Sequence, residues 1–297
     1  MKWNKIGKIF EQIKPGWSYS QSPAAIILKD KIRIFFATRP IGVPISRIAY
    51  VDFDHNFKNI LSQSEPVLAL GGRGSFDEFG TNPISAINYN NEIRIVYSGW
   101  TRCESVPFET LVGMAISVDE GNTFKKIGNG GPLLATNIHD PFVIGSPRIK
   151  RFNDMWFIWY IAGKQWLKDQ CIYAIKTSFS KDGLTWTRGK DFIINGDAKE
   201  CQASPEVFFL NGKYHMLFSY RHFDSRNYSI GYASSADLIT WHRDDSQAGI
   251  SVSSEGWDSE SISYPNIFEL NGKYCMLYQG NGIGKSGFGL AQLEIEQ

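Results

Sequence analysis

Five carboxylates stand at positions where acid–base chemistry could be organised. Three glutamates, Glu78, Glu200 and Glu260, each lie five residues before a proline. Glu206 directly follows one of these prolines, and Asp140 precedes a proline in the sequence His-Asp-Pro. A carboxylic acid that is held protonated near neutral pH can donate a proton to a leaving oxygen, and a second carboxylate can assist attack on the bonded carbon. We therefore predict that the catalytic residues are among these five acids.

Aromatic rings and cationic groups recur near the same prolines and near the apolar segments that follow them. Flat aromatic rings stack on pyranose faces, and guanidinium groups bind hydroxyl, carboxylate or phosphate groups. The mixture favours a saccharide or glycan as ligand, with phosphate as a possible second ligand. The predicted substrate-binding residues are Arg39, Trp100, Arg148, Trp166, Tyr220, Arg221, His222 and Asn281.

The elements that must position these residues are five similar segments, each of which opens on a proline. These prolines are Pro23, Pro83, Pro147, Pro205 and Pro265. They are separated by 60, 64, 58 and 60 residues, so the period runs along the whole chain. A short apolar strand follows each proline, and after a turn comes a second strand rich in aromatic and β-branched residues. Each segment is therefore a predicted β-hairpin, which proline can open without breaking the ladder.

A third strand follows each hairpin, and a turn ending in an aromatic residue then leads into a fourth. The turn aromatics Phe124, Trp186 and Trp241 are predicted to pack between neighbouring units. The last repeat stops after its third strand, and the segment Trp3 to Gly7 resembles the start of a fourth strand. The sequence therefore predicts an all-β, five-bladed β-propeller with four antiparallel strands per blade, closed by the N-terminal strand. It predicts one domain over residues 1–297, and a β-sandwich explains the five aligned hairpins less well.

The predicted site lies on one face of this propeller. In a hairpin, the start of the first strand and the end of the second lie at the same edge, so the residues named above should gather there together with Asp77 and Asp258. Each candidate acid also has a structural alternative. The three glutamates could accept hydrogen bonds from loop amides, Asp140 could be a turn residue, and Glu206 could form an ion pair with Arg148. The sequence leaves these alternatives open.

Composition argues against several classes of function. The formal net charge is +1 and no run of like charges occurs, so neither nucleic acid nor a membrane surface is a predicted partner. No apolar stretch matches a signal peptide or a membrane span, which favours a cytoplasmic protein. The four cysteines lie far apart with no Cys-x-x-Cys pair. We therefore predict no metal and no cofactor, and we expect reduced, mostly buried thiols.

The repeat resembles the blade signature of the five-bladed propeller superfamily of glycoside hydrolases and phosphorylases, which contains families 32, 43, 62, 68 and 130. The resemblance spans the chain and is carried by units such as Ser204-Pro205-Glu206-Val207 with Asn211-Gly212-Lys213-Tyr214. The segment Ser22-Pro23-Ala24-Ala25-Ile26, with Arg39 after the second strand, is similar to the first blade of family 130 mannoside phosphorylases. The resemblance implies the propeller fold and a carbohydrate-active enzyme.

The chain departs from the catalytic motifs of these families at two places. Families 32 and 43 place an aspartate in the first blade, whereas the stretch from Trp17 to Pro23 carries no acid. Family 130 carries an Asp-Pro-Arg-like element, and its closest match here, Ser146-Pro147-Arg148-Ile149, has serine in place of the aspartate.

Three functions are consistent with these observations. The first is a glycosidase or glycoside phosphorylase that acts in the central funnel, with Glu206 as the leading candidate acid. The second is a non-catalytic glycan-binding or assembly module, because a fold alone does not fix function. The third is an enzyme of another class on the same fold.

Overall fold

The computed structural model describes residues 1–294, and twenty β-strands in this range form five four-stranded antiparallel sheets. Blade I contains β2 (Trp17–Ile27), β3 (Ile32–Pro40), β4 (Arg47–Phe53) and β5 (Ile60–Gln63). Blade II contains β6 (Thr81–Tyr89), β7 (Glu92–Thr101), β8 (Glu109–Ser117) and β9 (Lys125–Lys126). Blade III contains β10 (Ile144–Phe152), β11 (Met155–Leu167), β12 (Gln170–Ser180) and β13 (Thr187–Arg188). Blade IV contains β14 (Glu200–Leu210), β15 (Lys213–His222), β16 (Ser229–Ser235) and β17 (His242–Arg243). Blade V contains β18 (Ser263–Leu270), β19 (Lys273–Gln279), β20 (Phe288–Leu293) and β1 (Trp3–Phe10).

The first strands of the five blades form a closed inner ring. Neighbouring first strands contact each other in the cyclic order β2, β6, β10, β14, β18 and back to β2. This arrangement confirms the predicted five-bladed β-propeller. Between residues 1 and 294 the helical segments are a 3₁₀ turn, Asp245–Gln247, and a short helix, Asn281–Gly284. Neither is long or apolar enough to cross a membrane.

The N-terminal strand completes blade V, as the sequence predicts. Strand β1 pairs antiparallel with β20, from Trp3 opposite Leu293 to Phe10 opposite Phe288. Trp3 and Phe10 are both buried, so the pairing encloses apolar surface as well as forming the ladder. The two ends of the described chain are thereby joined in one sheet.

Apolar clusters fill the spaces between neighbouring blades. Phe124 packs at the junction of blades I and II, with its ring centroid 5.5 Å from that of Phe35. Trp186 packs between blades II and III, and Trp241 between blades III and IV. The prediction that these turn aromatics pack between blades is confirmed. Rigid packing of this kind fixes the angle at which each first strand presents its end to the axis.

A polar cluster occupies the axis of the ring, and we call Arg148, Lys150, Glu206 and Asn266 the axial cluster. The guanidinium of Arg148 donates hydrogen bonds to atoms of three other blades: the Ile84 carbonyl, the Ser204 hydroxyl at 3.2 Å and the Pro265 carbonyl at 2.7 Å. One side chain can reach three other blades only near the centre of the ring. The axial cluster therefore closes the propeller axis and limits the funnel above it.

Candidate functional site

The floor of the funnel is formed by the residues that directly precede the five repeat prolines. They are Ser22, Asn82, Ser146, Ser204 and Tyr264, and we call them the floor ring. Four of them have positive φ angles between 46° and 56°, and Asn82 is the exception. Each first strand has a β-bulge near its proline, and bulges redirect side chains. The floor ring offers hydroxyl and amide groups and contains no carboxylate.

Side chains of the preceding blade hold the floor ring in place. The backbone amide of Ser22 donates to Oε1 of Gln279 at 2.9 Å, and that of Ser146 donates to Oγ of Ser98 at 2.9 Å. The amide of Tyr264 donates to Oγ of a serine on β15 at 2.8 Å. These bonds satisfy amides that the bulges remove from the strand ladder.

Glu206 and Arg148 lie in the axial cluster, below the floor ring. Both side chains are fully buried. Glu206 accepts a hydrogen bond from Asn266 at 3.1 Å, and Lys150 approaches it to 2.6 Å and Nε of Arg148 to 3.3 Å. Burial lowers the pKa of the Arg148 guanidinium, and the Glu206 carboxylate opposes this shift. The geometry is that of a closed ion-pair network across the blades.

Asp140 is one of three aspartates that share a common arrangement. Its carboxylate accepts from the Tyr160 hydroxyl at 3.1 Å and forms ion pairs with Lys176 at 2.7 Å and Arg188 at 3.0 Å. Burial raises the pKa of Tyr160, so this phenol stays a hydrogen-bond donor. Asp140 itself is almost completely buried.

The same arrangement recurs at Asp77 and Asp258. Asp77 accepts from Tyr97 at 2.9 Å and Asp258 accepts from Tyr278 at 3.1 Å. A lysine from the fourth strand of the same blade completes each group, Lys126 at 2.5 Å and Lys5 at 2.6 Å. Both aspartates are buried.

Glu200 has the corresponding place in blade IV. Arg243 binds it with both terminal nitrogens, at 2.7 and 3.0 Å, and Arg243 also binds Asp245 at 2.7 Å. The ring of Tyr220 lies 4.9 Å from the same guanidinium. Phe218 stands on β15 where blades II, III and V have their tyrosine, so no hydroxyl reaches Glu200 from that strand position. Tyr220 is thus part of the surroundings of this ion pair.

Glu78 and Glu260 lie on loops and reach solvent. Glu78 is half-buried and accepts from the backbone amide of Gly74 at 2.7 Å. Glu260 is exposed, and its backbone amide donates to Oδ1 of Asn281 at 2.9 Å, so Asn281 orders the loop that carries it. Within the described chain neither carboxylate forms an ion pair.

Three aromatic rings contact one another between the ends of the second strands of blades II and III, and we call Trp100, Phe108 and Trp166 the aromatic trio. Phe108 lies between the two tryptophans, with its ring centroid 4.6 Å from that of Trp100 and 5.3 Å from that of Trp166. All three are half-buried. The structure thus brings together two residues predicted from separate repeats and joins them through a third that the sequence did not single out.

The remaining predicted cations lie on blades I and IV. Arg39 stacks over the Tyr19 ring at 4.4 Å and donates to Gln21. Arg221 uses one terminal nitrogen, Nη1, for the backbone carbonyls of residues 222, 223 and 225, at 3.3, 3.2 and 2.7 Å. His222 is exposed, and its Nδ1 lies 3.4 Å from a carboxylate oxygen of Asp224.

A tyrosine cluster at blades III to V was missed by the sequence reasoning. The hydroxyls of Tyr173 and Tyr228 are 2.7 Å apart, and the rings of Tyr228 and Tyr264 are 6.3 Å apart. Burial raises the pKa of Tyr173 and that of Tyr264, so both phenols remain protonated near neutral pH. One signal was available, because Tyr264 precedes a repeat proline where the other blades have serine or asparagine.

Two further features of the described residues bear on ligand binding. A cleft of about 490 Å³ lies at the opposite end of the propeller, between hairpin turns, and its lining includes Leu28, Tyr89 and Val118. It contains none of the candidate residues. Across residues 1–294, no three histidine, cysteine, aspartate or glutamate side chains are grouped so that they could hold a metal ion.

Comparison with known sequences shows a relationship over the whole length of a mycobacterial protein. The chain is 32% identical over 304 residues to the uncharacterized protein Rv1502 of Mycobacterium tuberculosis strain H37Rv, and the alignment covers 99% of this chain and 100% of that protein. No family model matches the chain.

Similar solved structures share the fold at low sequence identity. One glycoside hydrolase has a TM-score of 0.74 and 15% identity, and the match covers 97% of this chain and 90% of that one. A thermostable family-43 glycoside hydrolase has a TM-score of 0.73 and 16% identity, with coverage of 97% and 94%. The Bombyx mori GH32 β-fructofuranosidase BmSUC1 has a TM-score of 0.65 and 16% identity, with coverage of 94% and 61%. The fold resemblance inferred from the repeat is confirmed by these structures.

Proposed function

This chain belongs to the same protein family as Rv1502, and we propose that it is a carbohydrate-active enzyme that binds a glycan or glycoside in the central funnel. The observation that carries the proposal is the aromatic trio between blades II and III. Half-buried indole and phenyl rings provide flat apolar surface for sugar rings. The glycoside hydrolases among the similar structures support it as analogy of fold, which does not by itself assign an activity.

Glu78 and Glu260, the two carboxylates on loops, are the better placed of the candidate acids for proton donation. A general acid must reach the leaving oxygen of the substrate. Asp140, Glu200 and Glu206 are buried, and each contacts at least one lysine or arginine. Glu78 and Glu260 do not form such pairs with described residues and are open to solvent. We propose that one of these two donates the proton to the leaving oxygen.

Arg39 and Arg221, the cations predicted to line the funnel, allow two ways to complete the reaction. In hydrolysis, a second carboxylate assists the attack of water at the anomeric carbon. In phosphorolysis, a bound phosphate takes the place of that carboxylate as nucleophile, and Arg39 or Arg221 would hold it. Both routes require only residues of this chain and the substrates, and both are expected to run in the cytoplasm.

A specific observation favours a second candidate function, a non-catalytic glycan-binding module. The floor ring carries no carboxylate, and three of the five candidate acids are fixed in ion pairs. Under this alternative, the aromatic trio and the funnel cations bind a glycan that is not cleaved.

Both functions can be tested with one set of proteins. Wild type would be assayed against aryl glycosides and disaccharides with and without phosphate, and binding of the same saccharides would be measured by calorimetry. Glu78→Gln and Glu260→Gln are the test variants, and Glu269→Gln, an exposed glutamate near a hairpin turn of blade V, is the matched control. One test variant should lose about 10²–10⁴-fold in rate while keeping its affinity.

Trp166→Ala should weaken binding about threefold to tenfold in either case, since an aromatic contact of this kind is worth about 0.5–1.5 kcal/mol. Full turnover in both glutamine variants would refute the assignment of the acid. Binding that depends on Trp166 without any turnover would support the glycan-binding module. Absence of saccharide binding would refute both functions.

A further inference from the structure

The arginines of this propeller differ in how their charge is balanced. Arg33, Arg188 and Arg243 lie within blades, and each has a carboxylate oxygen within 3.0 Å. Arg221 is half-buried as well, yet no carboxylate of the described residues lies within ion-pair distance of it. Removing a cation from water is costly unless an anion or strong hydrogen bonds replace the water. The missing counter-charge must therefore come from outside the described chain or be replaced by hydrogen bonds.

The backbone supplies only part of that replacement. All three carbonyl contacts of Arg221 come from Nη1. Its guanidinium carbon lies 5.5 Å from the centre of the Tyr228 ring, and the Tyr228 hydroxyl is 2.7 Å from that of Tyr173. Two phenols and a guanidinium thus meet where blades III and IV adjoin, and Tyr264 of the floor ring packs against Tyr228. The guanidinium and the phenol proton that is not used between the two hydroxyls match the oxygens of a carboxylate or a phosphate ester.

We propose that the saccharide bound in the funnel is acidic, and that Arg221 with Tyr173 and Tyr228 binds an oxyanion group that the saccharide itself carries. This inference rests on the proposed binding of a saccharide in the funnel. The group is a carboxylate, as in a uronic acid, or a phosphate ester. Tyr264 and the floor ring then lie beside the sugar ring that bears the charge, and the aromatic trio of blades II and III is left for neighbouring sugar units.

The test compares acidic and neutral sugars of the same ring. Saturation-transfer NMR titrations at low salt would use glucuronate and glucose 6-phosphate against glucose, galacturonate against galactose, and inorganic phosphate alone. The variants are Arg221→Gln and Tyr228→Phe. The control is Arg151→Gln, which removes one positive charge from an exposed site near a hairpin turn of blade III. Melting curves of each variant would establish that it is folded.

At least one acidic sugar should bind wild type tenfold or more tighter than its neutral counterpart. Arg221→Gln should reduce that affinity about tenfold to hundredfold, the usual effect of losing a charge-assisted pair. Tyr228→Phe should reduce it about threefold to tenfold and keeps the test valid if the arginine variant does not fold. Arg151→Gln should bind as wild type does.

Other outcomes separate the alternatives. Equal affinity for acidic and neutral sugars would overturn the inference and leave the proposed saccharide site intact, whereas no binding of any sugar would refute that site as well. Binding of inorganic phosphate without preference for acidic sugars would assign Arg221 to free phosphate and overturn the claim that the anion belongs to the saccharide. Lower melting temperature in Arg221→Gln with unchanged sugar preference would assign Arg221 to holding the loop of residues 222–225.

Discussion

Replacing Glu206 by glutamine would distinguish a structural acid from a catalytic one. The change keeps the shape of the side chain and removes its charge from the axial cluster. Arg148, which is fully buried, would then lose its carboxylate partner, while Lys150, which is partly exposed, could turn its ammonium group toward water. Glu206→Gln should therefore reduce stability whether or not the protein has a substrate bound.

The size of the effect follows from the burial of both partners. Removing one member of a buried ion pair costs about 3–5 kcal/mol, because the other charge stays buried without compensation. An unfolding entropy of about 2.1 cal/mol/K per residue gives about 0.6 kcal/mol/K for a chain of 297 residues. The melting temperature should accordingly fall by about 5–8 °C.

Differential scanning calorimetry would measure this shift, with Glu269→Gln as the exposed control. The double variant with Arg148→Met removes both charges and should recover part of the lost stability, because no unpaired guanidinium remains in the core. A Glu206→Gln protein that melts within about 1 °C of wild type would refute the reasoning. If its turnover were also abolished, Glu206 would become the leading catalytic acid.

Two further predictions concern closure of the ring and stability in acid. Deleting residues 1–7 removes Trp3 and Lys5, exposes the edge of β20 and leaves Asp258 without its lysine, so solubility and melting temperature should fall sharply; a truncated protein with the wild-type melting temperature would contradict this. The backbone amides of Thr240 and Ile239 lower the pKa of Asp237 to about 2, below its value of about 3.9 in the unfolded chain. Its contribution to stability is therefore complete above about pH 4 and is lost as the pH falls through about 2. The difference in melting temperature between wild type and Asp237→Ala should disappear as the pH falls from about 4 to about 2. A difference that stays the same at every pH would show that the two amides do not stabilise the Asp237 carboxylate.

The sequence allowed the blades to be predicted because their determinants are local. A proline that opens a strand, a tight turn and an aromatic second strand recur at nearly constant spacing, and hairpins need only neighbouring residues to form. Closure by the segment from Trp3 was predictable for the same reason, since that segment resembles the start of the fourth strand at Trp186.

The roles of the acids were harder to predict, because counting from the prolines aligns the wrong residues. That count groups Glu78 with Glu200, whereas the structure places Asp77 in the arrangement that corresponds to Glu200. Bulges and loops of different length separate the acid from the proline in each blade. The distance to the tyrosine is constant instead, at 20 residues for Asp77, Asp140 and Asp258. This spacing is visible in the sequence and marks these aspartates as part of the repeat.

The tyrosine cluster depends on contacts that no local pattern predicts. Tyr173 lies on the third strand of blade III and meets Tyr228 only across the boundary with blade IV. The aromatic trio is similar, because Phe108 lies in a loop between two strands of blade II and reaches Trp166 of the next blade. Contacts between blades are set by the geometry of the whole ring, so one repeat carries little information about them.

The fourth strands of four blades carry a cation at the same position, and this regularity shows which residues depart from the repeat. Lys126, Arg188, Arg243 and Lys5 occupy corresponding positions opposite the third strand, and each neutralises the buried acid of its own blade. In blade I the corresponding residue is Gln63, and it donates to Gln12 where the other blades have an acid, so a neutral pair replaces the ion pair.

Each blade is therefore balanced in charge at this position, whether it contains an acid and a cation or two amides. A charged residue at this position has its partner within the same blade, so the stability of the fold is sufficient to explain why the residue is there. Arg221 lies outside this position, and it is a half-buried cation with no described carboxylate within ion-pair distance, as is Arg39 in blade I. Tyr264 breaks the repeat in the floor ring beside it. Arg221 and Tyr264 both adjoin Tyr228, and the acidic saccharide that we propose would account for both residues.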